Sequence, residues 1–113
     1  MRVSELEGAQ LDRAVAKIEG VEAWIDNDTC MCHGAPGFAN EYSPRQNWML
    51  GGPIIERERI QFYYRRRCVW MGEPYDDVWL AFYAEDPTWL GSTPLVAAMR
   101  AFVARTYGDE VQE

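Results

Sequence analysis

Ile60-Gln61-Phe62-Tyr63-Tyr64-Arg65-Arg66-Arg67-Cys68-Val69-Trp70 is the stretch that decides the fold class. Aromatic and β-prone residues dominate it. Ile60, Phe62 and Tyr64 fall on one face of an extended chain, and Gln61, Tyr63 and Arg65 on the other. The alternation predicts a strand, with a break near Arg66. Gly72-Glu73-Pro74-Tyr75-Asp76-Asp77 follows as a turn cluster. Val78 to Ala84 is apolar on both faces and suits an interior strand. The two runs predict an antiparallel pair.

Helices flank this core on both sides. Upstream, Ser4 and Glu7 have capping-box spacing, and Leu6, Leu11, Val15 and Ile18 recur on one helical stripe. A helix is predicted from about residue 4 to residue 19. Gly20 is its stop, and Gly8 is a weak point in its first turns, costing about 1 kcal/mol against Ala. Downstream, Thr93 is a good N-cap and Pro94 fits the first helical position. Leu95, Met99, Phe102 and Val103, widened by Val96, make the apolar stripe, and Gly108 ends it. Val21 to Ile25 reads as a short strand. Residues 26–47 show no period and read as one long loop. Gly51-Gly52-Pro53 is read as a helix start, with Pro53 first in a short helix running to Arg59. The expected architecture is α+β: two amphipathic helices on one face of a small, mostly antiparallel sheet. One domain spanning residues 1–113 is expected, with 106–113 a frayed acidic tail.

Charge narrows the function. The 113 residues carry net charge −7, which disfavours general nucleic-acid binding, where phosphates need many cations. Yet residues 45–67 hold six arginines against two glutamates, a net +4 that leaves −11 for the rest. Such arginines either contact carboxylate or phosphate in a ligand or pair with the acidic remainder. No run is long and apolar enough for a membrane span, and Met1 to Glu5 lacks a signal-peptide core. Five tryptophans in so short a chain point to an exposed apolar patch and to a homo-oligomer, dimer or higher.

Candidate chemistry is sparse. Cys30-Met31-Cys32-His33 holds ligand-type residues, but its C-x-C spacing is tighter than in zinc sites and no second pair exists. Cys32 and His33 are neighbours that face opposite ways in a strand, which disfavours a nucleophile–base pair. Asp26/Asp28, Asp76/Asp77 and Glu85/Asp86 could support a small metal-dependent hydrolase, but chance pairs are inevitable among eighteen acids. No catalytic residue, metal or cofactor is assigned, and a non-enzymatic binder is favoured over the hydrolase, with enzymatic activity left open.

Tyr42-Ser43-Pro44-Arg45-Gln46-Asn47-Trp48, followed by Gly51-Gly52-Pro53, is the favoured site. Gly51 and Gly52 would permit close backbone approach. The free amides of a helix start at Pro53 would favour an anion. Tyr42 and Trp48 offer ring faces, and Arg45 and Arg57 offer charge. Tyr42, Ser43, Pro44, Arg45, Asn47, Trp48, Gly51, Gly52, Pro53 and Arg57 are therefore the expected binding residues for a small anionic, nucleotide-type ligand. The alternative is a structural turn whose Trp fills the core. The Walker and dinucleotide glycine patterns are absent.

Three blocks carry a family resemblance. They are Val3-Ser4-Glu5-Leu6-Glu7-Gly8 through Lys17 to Glu19-Gly20; Tyr42-Ser43-Pro44 with Trp48 and Gly51 to Glu58; and Thr93-Pro94-Leu95-Val96-Ala97-Ala98-Met99-Arg100 through Phe102-Val103-Ala104 to Gly108-Asp109-Glu110-Val111. In these the chain resembles the phage NinX-like family of small tailed-phage and prophage proteins. The resemblance implies an accessory protein acting in the bacterial cytoplasm and supplies no catalytic residues. The first functional expectation is a small-ligand binder able to sequester a host signal. The second is a protein–protein interaction module working through an exposed aromatic surface.

Overall fold

A computed structural model describes residues 1–111. A single 3₁₀ turn (Val3–Glu5) precedes helix α1 (Gly8–Glu19). Strands β1 (Ala23–Asp26), β2 (Thr29–His33) and β3 (Ala39–Glu41) form one antiparallel sheet. Helix α2 (Trp48–Glu58) leads into β4 (Gln61–Trp70), β5 (Glu73–Phe82) and β6 (Trp89–Gly91), which form a second antiparallel sheet in the order β4-β5-β6. Helix α3 (Pro94–Tyr107) closes the chain. The fold is α+β, as expected, but with two sheets and three helices.

Helix α1 packs on the first sheet, α3 packs on the second, and the two helices pack on each other. This sheet–helix–helix–sheet stacking gives a molecule 47 Å long and 26 by 23 Å across. The shared core comes from the predicted stripes. Leu11, Val15, Met99, Phe102 and Val103 are all buried, each worth about 1.5–3 kcal/mol in apolar transfer. Thr93 accepts the Val96 N–H at 3.1 Å, as an N-cap should. Arg100 then ties α3 to both flanks: Nε donates to the Leu6 carbonyl at 3.0 Å and Nη1 to that of Leu90 at 2.8 Å.

Several expectations need correction. The capping box at Ser4 and Glu7 does not form: Ser4 lies in the 3₁₀ turn, and α1 begins at Gly8 with no side-chain cap on it. Gly8 has φ +58°, a left-handed conformation that turns the chain into the helix. It is therefore a required residue and not a weak one. Residues 26–47 are not one loop, because β2 and β3 lie inside them. Asn27 and Asp28, both with positive φ, make a two-residue turn that pairs Asp26 with Thr29. Residues 109–111, read as part of a frayed tail, are hydrogen-bonded to the N-terminus. Val3 N–H donates to Asp109 O, Val111 N–H to Met1 O, and Arg2 bridges Glu110, so the tail is pinned to the N-terminus. Residues 112–113 lie outside the described residues. Glu73 to Asp77 are strand, not turn; the reversal is confined to Met71 and Gly72.

The break expected near Arg66 is present. The β4–β5 ladder skips the Arg66–Asp77 pair, and Asp77 has φ +51°. The ribbon curls from there. Trp70, next to the turn, donates its indole N–H to Thr88 O at 3.0 Å and lies 6.0 Å from the Trp89 ring. Trp89 pairs with Ala81, near the opposite end of the ribbon.

Candidate functional site

The favoured segment is built around one buried carboxylate. Asp12 faces inward from α1, between Ala9 and Ala16, and is 1% exposed. Its Oδ1 accepts the Arg45 backbone N–H at 3.1 Å and its Oδ2 accepts Arg45 Nε at 2.9 Å. Burial pushes its pKa up to about 6 despite the adjoining guanidinium. Tyr42, Ser43 and Pro44 are buried beside it. Burial, with Glu19, Cys30 and Asp12 nearby, raises the Tyr42 phenol to about 12. Burial likewise lifts the Cys30 thiol to about 11, leaving it a protonated core residue rather than a nucleophile.

The helix start lies earlier than expected. Asn47 is the cap of α2, its Oδ1 accepting the Met49 N–H at 3.0 Å. The signal that finds this start is Asn47, a favoured cap residue, directly before Trp48-Met49-Leu50. Gly51, Gly52 and Pro53 consequently sit inside the helix, and the Gly51 amide donates to Asn47 O at 2.9 Å. Pro53 removes a donor from the Met49 carbonyl, on a residue 85% exposed, where water can serve. Gly51 does permit a close approach, but to the protein itself. A Cβ there would lie 2.5 Å from Pro44 O and 2.6 Å from Leu95 Cδ2. So the amides at the double glycine do not form the free helix start expected of an anion receptor.

Neither candidate arginine is free. Arg45 holds Asp12. Arg57 donates Nη1 to Glu19 at 2.9 Å and Nε to Glu58 at 3.1 Å, and its guanidinium lies over the Phe102 ring. Arg45 and Arg57 thus tie their segment to α1, Gly51 packs against Pro44 and Leu95, and Tyr42, Ser43 and Pro44 are buried, whereas Asn47 only caps its own helix and Pro53 is exposed. Two clefts, of about 190 Å³ beside Leu6, Arg13 and Lys17 and about 310 Å³ beside Tyr83, Trp89 and Arg105, take no residue from this segment.

Trp48 departs from that pattern. It is 51% exposed, with Gly52 beneath its ring. Its centroid lies 6.2 Å from Phe62, which lies 6.1 Å from Trp79, which lies 5.6 Å from Tyr64. Four rings thus run in file from the first turn of α2 across β4 and β5. They share the sheet face of Ala81 and Gly91, against which α3 packs so closely that a Cβ on Gly91 would strike the Ala97 backbone. Trp79 is half-buried against the core, and the rings beside it are open to solvent. Phe62 and Tyr64 remain exposed, and the Tyr64 hydroxyl donates to Asp77. On the opposite face the Arg65 guanidinium lies 5.0 Å from the Tyr63 ring centre.

The Cys-Met-Cys-His tetrad forms β2. Cys30 points into the core, whereas exposed His33 lies against Trp24, with centroids 4.8 Å apart and ring planes tilted by 54°. Among the described residues no three His, Cys, Asp or Glu side chains gather as a metal site. No helix among them is long and apolar enough to cross a membrane.

No curated protein matches the chain. The family model described as Bacteriophage P22, NinX matches residues 2–106. That range spans the 3₁₀ turn, the Asp12–Arg45 lock, both sheets and all but the last residue of α3. The chain therefore belongs to the NinX family of phage accessory proteins.

Proposed function

We propose that this phage accessory protein is a non-enzymatic interaction module. Its contact surface is the open ring file Trp48–Phe62–Trp79–Tyr64, and its target is a host or phage protein inside the bacterium. The observation that carries this reading is the file itself. Contiguous aromatic rings left in water cost solvation free energy that a partner recovers, and Trp and Tyr are the side chains that anchor interfaces. The small-ligand reading has less support, because Arg45 and Arg57 already serve internal carboxylates. A hydrolase reading lacks a gathered carboxylate site among the described residues.

Site-specific photocrosslinking tests the module. Benzoyl-phenylalanine replaces Met49, exposed beside the file, and in a control replaces Phe38, 72% exposed near β3. In infected cells, position 49 crosslinks one protein that position 38 does not. The Trp48→Ala/Tyr64→Ala variant loses it while keeping its melting temperature. Undiminished crosslinking in that variant overturns the proposal.

A further inference from the structure

Strand β4 is an edge. It pairs with β5 alone, and among the described residues no other backbone group bonds to it. In an antiparallel pair, alternate residues turn their N–H and C=O groups away from the partner. A ten-residue edge therefore presents an unused ladder, which natural proteins cover or defend. Here the defence is charge. Arg65, Arg66 and Arg67 sit mid-strand, and among the described residues none forms an ion pair. Asp76 stands across the ribbon from Arg67 without engaging it, and Asp77 is occupied by the Tyr64 hydroxyl.

That defence is selective. β4 contains no acidic residue, so two copies joined edge to edge would bring arginines against arginines, which is unfavourable. A strand carrying carboxylates meets the reverse situation. The two faces of β4 differ as well: Phe62 and Tyr64 lie on the ring-file face, while Tyr63, Arg65 and Arg67 lie on the other. An incoming strand that alternates apolar and acidic residues matches both faces at once.

We propose that the open edge of β4 takes up an extended acidic segment of the partner protein as a fourth strand, its carboxylates meeting Arg65 and Arg67 and its apolar side chains meeting Phe62 and Tyr64. This rests on the interaction-module reading and names the partner's chemistry. Main-chain hydrogen bonds supply affinity, and the alternating side chains supply selectivity.

The test titrates the whole protein with three probes: a capped alternating Glu/Val peptide of about ten residues, its Lys/Val counterpart, and a single-stranded oligothymidylate. Backbone amide exchange along β4 and tryptophan fluorescence are the readouts. The Glu/Val peptide slows exchange on alternate β4 residues. Its affinity falls about tenfold or more in Arg65→Glu/Arg67→Glu and weakens with added salt. The Lys/Val peptide and the oligothymidylate leave β4 exchange unchanged. No protection by the Glu/Val peptide at about 1 mM, equal protection by the Lys/Val peptide, or tighter binding of the oligothymidylate each overturns the acidic-strand inference. Those failures leave the module standing if the Met49 crosslink persists in the wild type and is lost in the ring variant. Should that crosslink resist the ring substitutions, the module fails whatever the peptides do.

Discussion

Two stretches of the basic band look alike on paper and behave oppositely in the fold. In residues 42–58, Arg45 and the more exposed Arg57 are intramolecular struts, each tied to a carboxylate on α1. In residues 61–70, Arg65, Arg66 and Arg67 form no ion pair among the described residues. The aromatic residues do not divide so cleanly: Tyr42 is buried, but Trp48 in the first stretch faces water as Tyr64 does in the second. A guanidinium's role thus depends on whether the fold brings a carboxylate to it. Helix α1 brings Asp12 and Glu19 to the first stretch, whereas across the ribbon from the second Asp76 does not engage Arg67 and Asp77 accepts from Tyr64.

The largest effect should come from the lock. Arg45→Ala leaves Asp12 buried without its partner and should cost about 3 kcal/mol in urea unfolding, whereas Arg66→Ala should stay within about 0.5 kcal/mol. Equal costs would erase the distinction between the two stretches. Next is Gly51→Ala. Its Cβ would meet the Pro44 carbonyl and Leu95, so despite a better helix propensity it should lose about 1–3 kcal/mol. Gly52, where a Cβ meets nothing nearer than the Trp48 ring at 3.9 Å, should accept Ala with a gain of up to about 1 kcal/mol.

A pH scan sharpens the comparison further. Folding raises the Asp12 pKa from 3.8 to about 6, so the folded state holds this proton more tightly than the unfolded chain. The resulting stabilisation is complete below the unfolded value and is lost as pH rises through about 6. Wild type should therefore gain stability relative to Asp12→Asn as pH falls from about 7 to about 4, read from urea midpoints. A constant difference would show that Asp12 does not titrate in that window. The smallest effect is expected from nucleotides. With Arg45 and Arg57 engaged, cyclic or linear nucleotides at about 1 mM should leave the melting temperature unchanged, and a saturable rise would restore the 42–57 segment as a receptor.

Much of this was legible without coordinates. Helix α3 carries its own instructions, from the Thr93 cap to the Gly108 stop. The β4–β5 pair follows from period-two alternation, and even the interruption at Arg66 leaves a trace. Of the first sheet only β1 was readable, as the short strand at Val21 to Ile25; β2 and β3 were hidden because they are five and three residues long. Such lengths give the period too few repeats to register, although Asn27-Asp28 was a readable turn. The site was half legible. Segment 42–57 stood out for its residue types, but those types suit a ligand and an internal lock equally well.

Local chemistry, written in the order of residues, determined the caps, stops and alternating strands, because each depends on neighbours a few positions away. Only the tertiary structure could decide that Asp12 meets Arg45 across 33 positions, that Gly51 packs against Pro44, and that Trp48 joins Phe62 and Trp79 in the open. Those outcomes turn on which surfaces remain after the helices have settled against the sheets, and no short window of sequence contains that information.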